Sequence, residues 1–123
     1  DFGCGENLMR KCIPNNKVHA FDHVAIDDSV VACDMKNTGL NADSVEIAVF
    51  SLALWGSNCS DYLKEAYRIL KKRGCLYIAE PISAYETEQE KQGLLDMVES
   101  IGFKRLGDFE FRGKFLYLTC IKQ

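Results

Sequence analysis

The sequence predicts an α/β sandwich: a mostly parallel sheet, helices packed against it, and an antiparallel hairpin at the end of the chain. Three observations predict this. Runs rich in Val, Ile and Phe alternate with a stretch of helical period, as in βαβ units. Two helices are signalled at their ends by capping residues. Residues 103–122 read as two strands around a glycine-containing turn. At 123 residues the chain is read as one domain, with no repeat, low-complexity tract or linker to divide it.

Three strand candidates come first. "KVHAF" (17–21) ends at Asp22, "SVVAC" (29–33) ends at Asp34, and "SVEIAVFSLAL" (44–54) is longer and more apolar. The period then changes. Leu63, Ala66, Tyr67 and Leu70 recur at i, i+3, i+4 and i+7 and build one helix face, with Asn58 or Ser60 as the cap. Lys71, Lys72 and Arg73 are expected in its last turn, facing the negative end of the dipole, and Gly74 as its left-handed terminator. "CLYIAE" (75–80) is a buried strand stopped by Pro81. Thr87 with Glu90 has the spacing of a capping box, and Leu94, Val98 and Ile101 continue that helix to Gly102. "FKRLGDFEF" and "KFLYLTCIK", joined through "RG", form the hairpin.

Composition narrows the function classes. The net charge of −3 excludes a uniformly basic nucleic-acid-binding surface, so any RNA contact must use a local patch. No apolar run approaches the roughly 20 residues of a membrane-spanning helix. The six cysteines form no CxxC pair and no metal-ligand spacing, and are read as reduced core thiols.

In a parallel sheet ligands bind past the carboxyl ends of the strands. Those positions are residues 3–6, Asp22, Asp34 with Met35, residues 51–55, and Glu80. A carboxylate about 20 residues beyond a glycine turn suits two ribose hydroxyls, and Asp22 fits that role. Asp34 can accept from an exocyclic amine, and Met35 offers a polarizable contact to a flat ring. Together they describe an adenosine pocket. Gly3 and Gly5 form the turn that meets whatever the ribose carries. Asp1 and Glu6 would repel a pyrophosphate by roughly 1–4 kcal/mol per charge, but would attract the sulfonium and ammonium groups of S-adenosylmethionine. The charge therefore selects a methyl donor over a nicotinamide dinucleotide.

Each residue has a plainer reading too. A lone GxG is often only a turn, and Asp is common at strand ends. Ser51, Leu52 and Trp55 line a transfer mouth or continue a buried strand. His19 and His23 are read as structural, the "LKKRG" cluster as a helix end, and Tyr85, Glu86 and Glu88 as a polar connection beside the cleft.

In order and spacing, "DFGCGE", "VHAFD", "VVACDM", "LNADSVEIAVFSLALWGSN", "DYLKEAYRILKKRGCLYIAE" and "IGF" resemble the methyltransferase domain of the ribosomal RNA-processing protein 8 family. The resemblance implies a Rossmann-like class I methyltransferase of the nucleus and nucleolus. It implies transfer of the methyl group of S-adenosylmethionine to N1 of an adenine in large-subunit ribosomal RNA, leaving S-adenosylhomocysteine, and animal relatives are also linked to chromatin silencing. By the family's pattern Gly3 and Gly5 form the methionine-side turn, Asp22 holds the ribose, Asp34 and Met35 frame the adenine, and Ser51 stands beside the donor where the family usually has Cys. Asn7 replaces a common third glycine, and "KKRG" replaces "KPGG".

A protein or small-molecule acceptor, or a donor-binding scaffold without catalysis, remains as an alternative. The family also has a strand and a helical segment before the glycine turn. The chain is therefore expected to be N-terminally truncated, with its first strand largely missing and residues 1–3 lying between the strands that end at Asp22 and near Leu54.

Overall fold

The computed structural model describes residues 1–2, 19, 21–22, 31–32, 35–51, 54 and 59–123. Of the candidate site residues, Gly3, Gly5 and Asp34 lie outside this set, as do Leu52 and Trp55. The elements are β1 (Phe21–Asp22), β2 (Val31–Ala32), β3 (Val45–Ser51), α1 (Cys59–Ile69), β4 (Leu70–Pro81), a 3₁₀ turn (Ile82–Ala84), α2 (Glu88–Ile101), β5 (Phe103–Arg105), β6 (Glu110–Arg112) and β7 (Phe115–Lys122).

β1 and β2 pair in parallel, as do β3 and β4; β7 then runs antiparallel to β4, and both β5 and β6 pair with its far edge. Phe2 forms a parallel bridge to Phe50 on the other side of β3, with its N–H donating to Val49 O at 2.8 Å. Asp1 N donates to His19 O at 2.9 Å, just before β1. Residues 1–2 thus lie between the approach to β1 and strand β3, the placement expected from sequence.

Alternation puts one face of the sheet inside. Ala48 and Phe50, Leu76 and Ile78, and Leu118 and Cys120 join Leu63, Ala66 and Ile69 of α1 and Leu94, Leu95 and Val98 of α2 in one buried cluster. Each fully buried Leu or Ile contributes about 1.5–3 kcal/mol. Phe2 completes this face by stacking on Phe50, with ring centroids 4.4 Å apart. The other face carries exposed Ile47 and Tyr77.

α2 follows its sequence signals. Thr87 Oγ1 accepts from Glu90 N at 3.1 Å, and Gly102 closes the helix at φ 125°. α1 does not. It ends at Ile69, so Lys71, Lys72 and Arg73 lie outside it, and Ser60 falls inside its first turn. Leu70 already pairs with Val45 of β3, and the next pair is Ile47 with Cys75, so the intervening basic residues bulge from the sheet. Arg73, not Gly74, takes the left-handed conformation, at φ 68°. Gly74 is needed for space, because a Cβ there would lie 2.8 Å from Lys71 O and 3.1 Å from Glu46 O.

The cation at the end of α1 comes from β7. Lys122 Nζ donates to Tyr67 O and Leu70 O, each at 2.7 Å, and to Asp43 Oδ1 at 2.9 Å. The hairpin is also shifted from expectation. "FKRLGDFEF" is two short strands interrupted at Gly107 (φ 82°), and Arg112 pairs with Phe115, so the turn is Gly113–Lys114.

Candidate functional site

The chain leaves the parallel strands on one edge. Asp22 is the last residue of β1 and stands opposite Ala32, the last of β2. Ser51 ends β3 and is exposed, opposite Ala79 of β4. The backbone thus brings Asp22 and Ser51 to the strand ends where sequence puts them, and Met35 follows β2 in a turn.

Met35 is buried, 4% exposed, within the main core cluster. Its loop is held by α1. Glu65 is 5% exposed although ionisable, and its Oε2 accepts from Thr38 N at 2.7 Å and Thr38 Oγ1 at 2.8 Å. Arg68 closes the clamp, donating from Nε to Glu65 Oε1 at 2.6 Å and from Nη2 to Leu40 O at 2.6 Å. Burial alone raises a carboxyl pKa. Here the hydrogen bonds from Arg68 and Thr38 outweigh that burial and leave Glu65 below its ordinary value. The sequence reading passed over Glu65, yet a signal existed: it stands three residues after Tyr62 and four before Ile69, on the buried face of α1.

Glu80 is the second buried carboxylate, 3% exposed, at the end of β4. Its Oε1 accepts from Leu54 N at 2.7 Å, tying the segment after β3 to β4. A charge-assisted bond to a backbone donor is worth about 1.5–3 kcal/mol and fixes where that segment runs. Tyr85 is close by. Burial, then the negative charge of Glu80, pushes its phenol up to about 12, so it stays a neutral hydroxyl at physiological pH. Chemically this edge carries the buried carboxylate of Glu80 and the soft apolar Met35.

Residues 1–122 match a family model described as "Hypothetical methyltransferase". The chain belongs to the ribosomal RNA-processing protein 8 family of S-adenosylmethionine-dependent class I methyltransferases. It is 45% identical over 101 residues to ribosomal RNA-processing protein 8 of Arabidopsis thaliana, an alignment covering 82% of this chain and 35% of that protein. It is 47% identical over 83 residues to the 25S rRNA (adenine(645)-N(1))-methyltransferase of Schizosaccharomyces pombe, covering 65% of this chain and 26% of that one. The chain therefore spans about a third or less of the length of these curated relatives. Among solved structures, an S-adenosylmethionine dependent methyltransferase from Mesorhizobium loti aligns with a TM-score of 0.75 at 13% identity, over 99% of this chain and 89% of that one. At that identity the likeness is one of fold, and the fold is the Rossmann-like sandwich expected from sequence.

Proposed function

We propose that this chain is the catalytic domain of an S-adenosylmethionine-dependent methyltransferase that modifies N1 of an adenine in large-subunit ribosomal RNA. The observation that carries the reading is the convergence, within a methyltransferase family, of residues 1–2, β1, the β2–Met35 segment and β3 on one sheet edge. The relatives' names support ribosomal RNA as the acceptor. They support the nucleus and nucleolus as the place of work, and chromatin-silencing proteins belong to the same proposal through the resemblance.

In this reading Gly3 and Gly5 pass the backbone close to the methionine moiety, and Asp22 accepts from the ribose hydroxyls. Asp34 and Met35 frame the adenine, Met35 from a loop that the Glu65–Arg68 clamp keeps in place. Ser51 borders the donor, and Glu80 sets the course of the segment after it through Leu54 N. S-adenosylmethionine supplies an electrophilic methyl group on a sulfonium centre. Adenine N1 has a free lone pair at neutral pH, so the chain need supply no general base. Its task is to align the base and exclude water.

Two measurements test this. Calorimetric titration with S-adenosylhomocysteine should show Asp22→Ala weakening binding by about 3 kcal/mol, roughly 100-fold, as expected for two hydrogen bonds to a carboxylate. Unchanged affinity removes Asp22 from the pocket. Mass spectrometry of ribosomal RNA from depleted cells should show one N1-methyladenosine lost; an intact modification profile points instead to a protein or small-molecule acceptor.

A further inference from the structure

The hairpin combines three features that the donor site does not use. The first is position. Ile82 N, just past β4, donates to Lys114 O at 2.9 Å, and Pro81 pairs with Phe115, so the Gly113–Lys114 turn stands at the carboxyl end of β4. Ser51 pairs with Ala79 and Ala79 with Tyr117, which makes one row across the sheet. Two strand spacings separate Ser51 from Tyr117, roughly 10 Å.

The second feature is exposed aromatic surface paired with cations. Phe111 is 51% and Phe115 38% exposed. Arg112 lies 4.7 Å from the Tyr117 ring centroid, and Lys91 of α2 lies 5.4 Å from that of Phe111. Between α2 and the β5–β6 segment runs a groove of about 290 Å³, lined by Phe109, Phe111, the cations Lys91 and Arg105 and the carboxylates Glu88 and Asp108 that pair with them. Its size is at the lower end for small-ligand pockets, about 300 Å³.

The third feature is charge. From 103 to 115 four cationic side chains (Lys104, Arg105, Arg112, Lys114) face two acidic ones (Asp108, Glu110), a local positive excess in a chain of net −3. Arg112 pairs with Glu110 at 3.5 Å, Arg105 with Asp108 at 3.8 Å and Lys91 with Glu88 at 3.1 Å. The Arg112 and Arg105 pairs are exposed and of small worth, easily exchanged for a phosphate, whereas Lys91 is largely covered.

We infer that the β6–β7 hairpin and its groove against α2 bind single-stranded RNA next to the adenine being modified. This rests on the methyltransferase reading above. Phe111 with Lys91 on the groove side of the hairpin, and Phe115 with Arg112 on its other face, offer stacking platforms and cations to a strand that crosses the hairpin, with Lys114 at its turn. Aromatic and cationic groups on the same hairpin favour nucleic acid, which can use both, over an apolar protein segment, which would use the aromatic rings alone.

The test measures polarisation of a fluorescein-labelled, adenine-containing single-stranded oligoribonucleotide across a salt series, alongside calorimetry with S-adenosylhomocysteine. Arg112→Glu and Lys114→Glu should each lower the log–log salt slope by about 1. Phe111→Ala should weaken binding about fivefold or more. Lys71→Glu makes the same charge change in the bulge at the start of β4 and should alter RNA affinity less than about twofold. All four variants should bind S-adenosylhomocysteine as the parent does. RNA binding indifferent to the three hairpin and groove variants overturns the surface and leaves the methyltransferase reading intact. Failure of the parent protein to bind S-adenosylhomocysteine overturns the reading beneath it. A hairpin that binds a protein partner while the parent shows no RNA affinity overturns the proposal as well.

Discussion

The two helices solve the same problem in opposite ways. A helix leaves its last carbonyls without intrahelical partners. α2 closes itself with residues next to it in sequence: Gly102 N donates back to Glu99 O and Val98 O, as Thr87 and Glu90 close the other end. At the end of α1 the partners are all distant. Tyr67 O and Leu70 O accept from Lys122, Arg68 O from Asp43 N at 3.0 Å, and Ile69 O from Ser44 N at 2.8 Å. α2 therefore carries its own stop, whereas α1 stops where the sheet meets it.

Breaking the distant closure should cost most. Lys122→Met keeps the stem but removes a nearly buried cation from two carbonyls and Asp43, and should destabilise by about 3 kcal/mol in urea unfolding. A loss no larger than that of a local cap would erase the contrast. Next comes Glu65→Gln, expected to cost about 1–2 kcal/mol at neutral pH. The Glu65 carboxyl sits below its ordinary value: burial works against this, but bonds from Arg68 and Thr38 outweigh it. Its stabilisation is therefore complete above the unfolded carboxylate value of about 4.3 and fades as pH falls through the folded one. The Gln variant should show a flatter acid limb, and an unchanged limb would place the acid sensitivity elsewhere.

Thr87→Ala removes a local cap and should cost about 1 kcal/mol, read as a shift in denaturation midpoint with the slope unchanged. The smallest effect belongs to Lys71→Ala. Its pair with Glu46, at 2.7 Å, is exposed on both sides, and if the basic run really lies outside α1 the melting temperature should not move measurably. A clear drop would return Lys71 to a dipole-stabilising role.

The same contrast explains what could be read without coordinates. Thr87, Glu90 and Gly102 were legible because their partners lie within four residues. The stop of α1 was not, since the group that matters is Lys122, and an obvious basic run beside it suggested the wrong cation. The hairpin was legible as a pair but not in its turn, because "RG" and "GK" are equivalent punctuation until the register of Arg112 with Phe115 selects one. At the candidate site, Asp22 and Ser51 could be placed because strand ends follow from connectivity. The clamp by Glu65 could not, since Thr38 is 27 residues away. Gly3, Gly5 and Asp34 remain proposals from pattern, outside the described residues.

One consequence of the sheet order concerns how the protein is made. β7 follows β4, β5 and β6 in sequence, yet it lies between β4 and the β5–β6 edge and touches all three. Until residues 115–122 leave the ribosome, β4 has β3 on one side and an unpaired edge on the other, with Leu76 and Ile78 still waiting for Leu118. Such an edge invites pairing with other chains. Completion of the fold is thus timed to the end of this segment's synthesis, and the nascent chain before that moment is the form most in need of a chaperone.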